Sequence, residues 1–216
     1  MKASAATIRS LRKDYTAFEL DESHVRKNPL VMFDEWMKNA IDAGVEEPNA
    51  MTIATVDSKG RPEARIVLLR ELDKKGFVFY TNYLSRKGKA MKSNKRVCLN
   101  FFWPALQRQV RIMGKVEKVS ERVSNAYFKS RPRESQIGAW ASLQSELLTE
   151  RRVLEERFVA FEKKFSGKPV PRPFNWGGYR VVPDHVEFWQ GRSSRLHDRI
   201  AYSKEKNKWK ISRLYP

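Results

Sequence analysis

The chain has 216 residues, 41% of them hydrophobic and 12% aromatic, enough to bury a core as one domain. Its formal charge of +18 attracts polyanions and leaves nucleic acid, an anionic membrane or a small phosphorylated ligand as rival partners. Cys98 is the single cysteine, which excludes a disulfide scaffold, and the sequence lacks the run of about 18 apolar residues that a membrane span needs, so a cytoplasmic protein is expected.

Residues 1–27 carry LRKDY near their centre, too polar for a core and too short to fold alone, and read as a mobile arm unless something docks it. From Asn28 to Gly44, Leu30, Phe33, Trp36, Met37, Ala40 and Ile41 recur at three- and four-residue spacing between an Asn-Pro start and a glycine stop, which predicts an amphipathic helix. From Ala50 the period changes: AMTIATVD, PEARIVLLREL and FVFYT read as three strands joined by the polar turns DSKG and DKKG. RIVLLR, apolar between two arginines, predicts a strand covered on both faces whose ends emerge at a pocket.

SRKGKAMKS is a short basic connection or helix, and RVCLNFFW and QVRIMGKVEKV are further strands, with Cys98 expected as a small buried hydrophobe. Such a meander predicts a small barrel. SERVSNAYFKSRP, ESQIGAWAS and the charged stretch Glu146 to Phe165 read as helices, and SGKPVPRPF as a loop. WGGYRVVPDHVEFWQG and HDRIAYSKEKNKWKISRLYP return to strands, giving a mainly β chain with flanking helices and a single domain over residues 28–216.

The sequence carries no GxGxxG after a strand, no GxxxxGK[ST], no HExxH, no cysteine pair for zinc and no GxSxG elbow. Basic and hydroxyl side chains gather instead at strand ends. Arg65 and Arg70 close one strand, Tyr80 and Thr81 end the next, and Ser85, Arg86 and Lys87 follow at once; charge-assisted hydrogen bonds from such a set can hold a phosphate. In YFKSRPRESQIGAW, Tyr127 and Arg131 share a helix face, and Pro132 turns the chain so that Ser135 comes alongside. Each stretch alone reads better as a basic surface turn, but together they point to two phosphorylated partners. In WQGRSSRLHDR, Trp189 and His197 stand among Arg192, Arg195 and Arg199, which suits an anionic, planar ligand, whereas His24 and His185 read as structural. Aromatics interleaved with basic residues in FFWPALQRQVRIMGK keep a nucleic-acid-binding barrel open as an alternative.

RIVLLR, FYTNYLSRKG, RQVRI, YFKSRPRESQIGAW, the Gln144–Ser145 pair, WGGYR, EFWQGRSSRLHDR and RLYP together resemble the pyridoxine (pyridoxamine) 5'-phosphate oxidase family, from about Leu11 to the last residue. The resemblance implies an FMN-binding split β-barrel, homodimeric with the flavin at the interface. It implies oxidation of pyridoxine 5'-phosphate and pyridoxamine 5'-phosphate to pyridoxal 5'-phosphate, with O2 as acceptor and H2O2 as product. Expected FMN contacts are Arg65, Ile66, Val67, Leu68, Leu69 and Arg70, then Tyr80, Thr81, Arg86, Lys87 and Gln109, joined by Gln144 and Ser145 of the other subunit with Trp189 and Arg199. Tyr127, Arg131 and Ser135 would hold the substrate phosphate with Arg70, which stands where the family usually has lysine. Arg195, Leu196 and His197 would face the substrate ring, Arg195 and His197 as the catalytic pair, and Arg12, Lys13, Asp14 and Tyr15 would close over it as a lid. The basic neighbours of His197 are expected to lower its pKa and favour a neutral, hydrogen-bonding role. A homodimer would also account for Phe101, Phe102, Trp103 and Trp140 as interface aromatics. The resemblance implies no metal, nucleic acid or membrane partner, and a family member that binds flavin or pyridoxal phosphate without turnover stands as a second alternative.

Overall fold

The computed structural model describes residues 9–11 and 14–216. Its elements are α1 (Pro29–Asp42), β1 (Ala50–Val56), β2 (Pro62–Leu68), β3 (Glu71–Asp73), β4 (Gly76–Asn82), α2 (Arg86–Ser93), β5 (Arg96–Trp103), β6 (Arg108–Lys118), α3 (Glu121–Ser130), α4 (Arg133–Ala141), α5 (Arg151–Lys164), β7 (Trp176–Gln190), β8 (Asp198–Glu205) and β9 (Lys208–Arg213). The strands form one nine-stranded sheet in the order β2-β1-β5-β6-β7-β4-β3, with β8 on β7 and β9 on β8. Two compact units divide the chain: Met1–Pro48, Asn100–Arg111 and His185–Pro216 in one, Asn49–Leu99 and Ile112–Asp184 in the other. No helix among the described residues is long and apolar enough to cross a membrane.

In the first unit, α1 starts where the Asn28 side chain accepts a hydrogen bond from the Leu30 N–H at 2.9 Å, with Pro29 in the first turn. Its buried stripe is Met32, Phe33, Trp36 and Ala40. The sequence reading placed Ile41 in that stripe; it is 58% exposed, because one residue beyond Ala40 is a rotation of about 100° away from the packed face. Phe33 packs against Phe101 (4.8 Å between ring centroids) and Trp103 (6.1 Å). Phe101 and Trp103 are therefore core of their own chain rather than interface residues, while Phe102, on the opposite face of β5, is exposed. The same alternation leaves Cys98 half-buried, not buried as expected. The segment that leads into α1 is docked: Leu20 is buried, and its N–H donates to the Asp198 carboxylate at 3.1 Å.

In the second unit, the β1–β2 hairpin turns through Asp57–Gly60, where the Asp57 carboxylate accepts from the N–H groups of Lys59 and Arg61 and Gly60 takes φ +79. Asp73 repeats the device for β3–β4. PEARIVLLREL is two strands rather than one. The Leu69 N–H bonds the Asn49 carbonyl and the Arg70 N–H bonds the Val78 carbonyl, so the chain leaves β1 and joins β4 at this corner. β2 itself is a sheet edge with no buried residue, and Ile66 is 63% exposed, so the expectation of a strand covered on both faces does not hold in this chain. α3 and α4 follow the sequence reading, whereas α5 begins at Arg151, after an irregular segment that includes Gln144 and Ser145.

Candidate functional site

The corner at Arg70 opens on a cleft of about 450 Å³ in the second unit. Ile66, Val67 and Leu68 give it an apolar wall from β2, and Tyr80 and Thr81 enter from β4. Leu69, between them in sequence, is buried instead. Lys87 arrives from the first turn of α2, whose N-cap Ser85 hydroxyl accepts from the Gly88 N–H. Its ammonium donates to the Thr81 hydroxyl at 3.3 Å, and that hydroxyl donates to the Gln144 side-chain carbonyl at 3.3 Å. Gln144 thus reaches Thr81 of its own chain. Burial, with the Arg65 charge adding to it, pushes the Lys87 ammonium below its ordinary value.

Arg65 and Arg86 are held differently. Arg65 donates to the Thr55 hydroxyl at 2.7 Å and to the Glu63 carboxylate at 2.8 Å, and Arg86 also pairs with Glu63. Glu63 therefore occupies both guanidinium groups outside the main cleft. Ser145, at φ 75, lines a separate small depression with Leu147 and Leu148.

The second donor set lies in the same cleft as the first. Tyr127, near the end of α3, Arg131, at its C-cap, and Ser135, in α4, all line it with Arg70, which is the convergence that the helix spacing and Pro132 indicated. The Tyr80 and Tyr127 rings stack at 3.8 Å with 13° between planes, and burial pushes the Tyr80 phenol up to about 12. Trp176, which sequence reasoning did not single out, extends the stack: its plane is 3° from that of Tyr127 and 12° from that of Tyr80. The glycines after it explain WGGYR. A Cβ on Gly178 would stand 2.9 Å from the Tyr80 ring, and one on Gly177 would stand 2.1 Å from the Tyr83 hydroxyl, so only a bare backbone lets these rings lie across β7. The signal available in the sequence was an aromatic residue followed by two glycines at a strand start.

The remaining expected residues stand in the first unit, where Asp14, Tyr15, Arg192, Ser194, Arg195 and His197 line a second cleft. Trp189 and Arg199 are cross-strand partners on β7 and β8. The Trp189 ring is 4.6 Å from the His197 ring, and Tyr15 meets Trp189 edge-on at 5.8 Å. Tyr15 lies over Gly191, where a Cβ would come within 2.8 Å of its ring. Ser194 and Arg195 both take positive φ, 55 and 61, a conformation that non-glycine residues hold only under tertiary constraint. His197 has its pKa lowered by burial first and the Arg195 charge second. Leu196 is exposed and off the cleft, Gln109 is half-buried on β6, and Arg12 and Lys13 lie outside the described residues.

Glu187 was missed as well. It is 3% exposed, accepts from Arg199 at 2.9 Å, and pairs with Arg111. Burial alone would raise its carboxyl, but the Arg199 and Arg111 guanidinium groups outweigh burial, and the net shift is downward. Arg199 in turn donates to the Tyr215 carbonyl at 2.8 Å, which ties RLYP to the same node. An acid between the buried Val186 and Phe188 was the sequence signal.

The cleft at Arg70 suits a planar molecule against the β2 wall, and its two sets of anion donors suit phosphorylated ligands. Residues 37–165 match the model for pyridoxamine 5'-phosphate oxidase, and residues 176–216 match the one for the pyridoxine 5'-phosphate oxidase C-terminal dimerisation region. The chain belongs to the pyridoxamine 5'-phosphate oxidase family. It is 53% identical over 211 residues to the pyridoxine/pyridoxamine 5'-phosphate oxidase of Nostoc sp. (strain PCC 7120), covering 97% of this chain and 99% of the relative. Among solved structures, PhzG from Burkholderia lata 383, in complex with tetrahydrophenazine-1-carboxylic acid, superposes with a TM-score of 0.88 at 28% identity, over 93% of this chain and 100% of that one. A pyridoxamine 5'-phosphate oxidase-related, FMN binding protein from Nostoc punctiforme PCC 73102 shares the fold, with a TM-score of 0.69 at 16% identity over 85% of this chain and 97% of that one.

Proposed function

We propose that the protein is an FMN-dependent oxidase that converts pyridoxine 5'-phosphate and pyridoxamine 5'-phosphate to pyridoxal 5'-phosphate. The observation that carries this reading is one cleft with two desolvated cations, Lys87 and Arg131, whose protein partners are hydroxyls and rings rather than carboxylates. Burial lowers the pKa of both, which is the cost that a bound dianion would offset.

The donor chemistry fits FMN: Lys87, Thr81 and Gln144 would bind its polar groups, and Ile66 to Leu68 would lie along its ring. When bound, FMN would supply two-electron oxidation at the substrate C4', with O2 as final acceptor and H2O2 as product. Tyr127, Arg131, Ser135 and Arg70 would hold the substrate phosphate. Arg195 and His197 would orient the substrate ring, and Asp14 and Tyr15 would cover it and exclude water. The active form would be a homodimer, consistent with the description of the C-terminal family region.

Oxygen consumption and peroxide release with each substrate test the proposal. Turnover of both phosphates by the yellow, flavin-loaded protein is the expected result. Turnover only of an unphosphorylated ring acid, of the kind bound by PhzG, would overturn it.

A further inference from the structure

Arg131 is set up unusually for a cation. Its guanidinium carbon lies 4.6 Å from the centroid of the Trp176 ring and 5.6 Å from that of Phe128, and its Nη1 atom is buried with no hydrogen-bond partner among the described residues. Trp176 itself is fixed. It is 7% exposed, meets Phe128 edge-on at 5.2 Å, and closes the parallel stack with Tyr127 and Tyr80.

A carboxylate in the place of Trp176 would also hold Arg131, but it would neutralise the charge and consume the donors of the fork, as Glu63 does for Arg65 and Arg86. An aromatic face attracts the guanidinium through its ring quadrupole and leaves the N–H edge available. We propose that Trp176 is a positioning residue for the substrate phosphate: its indole face holds the Arg131 guanidinium so that the unpartnered N–H edge, Nη1 included, is kept for the anion. This rests on the reading of the cleft as the substrate site, and deepens it by assigning a residue that acts on the anion through the arginine.

The test compares dissociation constants of the flavin-loaded protein for 4-deoxypyridoxine 5'-phosphate and 4-deoxypyridoxine, two rings that cannot be oxidised at C4'. The ratio of the dissociation constant for 4-deoxypyridoxine to that for its 5'-phosphate measures the phosphate contribution alone. Trp176→Leu is expected to lower that ratio about tenfold, in the same direction as Arg131→Leu, and to raise KM for pyridoxine 5'-phosphate while kcat stays within about threefold, as expected for a contact made alike in ground and transition states. A Trp176→Leu variant that weakens both ligands equally, while Arg131→Leu collapses the ratio, would overturn the positioning role and leave packing as the function of Trp176. A ratio unchanged in Arg131→Leu would overturn instead the assignment of the cleft to the phosphate. Because Trp176 is buried, Leu can prevent folding; a multiply fluorinated tryptophan incorporated at position 176 keeps the shape and withdraws charge from the ring face. That protein should lose at least threefold in the ratio with an unchanged melt, and an unchanged ratio would sink the proposal.

Discussion

The Nδ1 atom of His197 accepts a hydrogen bond from the backbone N–H of Arg192 at 3.1 Å. An accepting Nδ1 places the proton of the neutral ring on Nε2, and taking up a second proton at Nδ1 would break that bond. In the proposed site His197 would then act as a positioned neutral donor rather than as a base. The Oδ1 atom of asparagine can accept the same N–H, so His197→Asn should keep turnover within about tenfold. Arg195→Leu should slow anaerobic flavin reduction by about a hundredfold, the order of loss expected from misplacing the reacting carbon by about 1 Å. Equal losses in the two variants would return His197 to the role of base.

The depressed His197 pKa also fixes a direction for pH. Its folded value lies below the ordinary 6.5, so the unfolded chain binds the extra proton first. The stability this contributes is present above 6.5 and falls away as pH drops through the folded value. Melts of the parent protein should therefore decline more steeply between 6.5 and the folded value than those of His197→Asn, and parallel curves would contradict the linkage.

Lys87 and Arg86 are adjacent in sequence but not equivalent. Lys87 is in the cleft with Thr81, whereas Arg86 is exposed and paired with Glu63. Lys87→Ala should weaken FMN binding, read by fluorescence titration of the flavin, by at least about tenfold, the loss of one charge-assisted contact. Arg86→Ala should cost less than about threefold, since an exposed pair is worth little. The reverse order would mean that Arg86 leaves Glu63 when flavin binds.

At the strand corner, Arg70→Lys should change KM for the phosphorylated substrates and leave kcat within about threefold, because a phosphate contact made alike in ground and transition states is uniform binding. A loss of kcat at constant KM would place Arg70 at the chemistry.

Glu187→Gln removes a buried charge from between two guanidinium groups. Because the Arg111 and Arg199 side chains are 41% and 25% exposed, the cost is below that of a fully buried pair, about 1–3 kcal/mol, which urea denaturation at neutral pH should register. The carboxyl is held below its ordinary 4.5, so its contribution exists above that value and is lost as pH falls through the folded one. The gap between parent and variant should close in acid, and a gap independent of pH would rule out the charge as its source.

Much of this was legible in the sequence because it follows from local rules. Asn28-Pro29 starts α1, DSKG and DKKG make the turns, and Tyr127, Arg131 and Ser135 converge because a helix face and a proline dictate it. What escaped depends on sheet partners. The break at Leu69 and Arg70 is a change of hydrogen-bond partner, and nothing in RIVLLREL marks it. The edge position of β2, the half-buried Cys98 and the inward turn of Phe101 and Trp103 likewise depend on which strand lies alongside. Trp176 and Glu187 were visible only as residue types. Their contacts are with Arg131 and Arg199, distant in sequence or across a hairpin.

Mixing the flavin-loaded protein anaerobically with a stoichiometric amount of pyridoxamine 5'-phosphate, and following the visible flavin absorption alongside pyridoxal 5'-phosphate formation, tests the central claim most directly. The account requires bleaching in a single turnover, one pyridoxal 5'-phosphate formed per flavin reduced, and return of the absorption with H2O2 when O2 is admitted. A flavin that stays oxidised in the presence of bound pyridoxamine 5'-phosphate, and is likewise not reduced by pyridoxine 5'-phosphate, would contradict it and leave the chain a binding protein of the oxidase family.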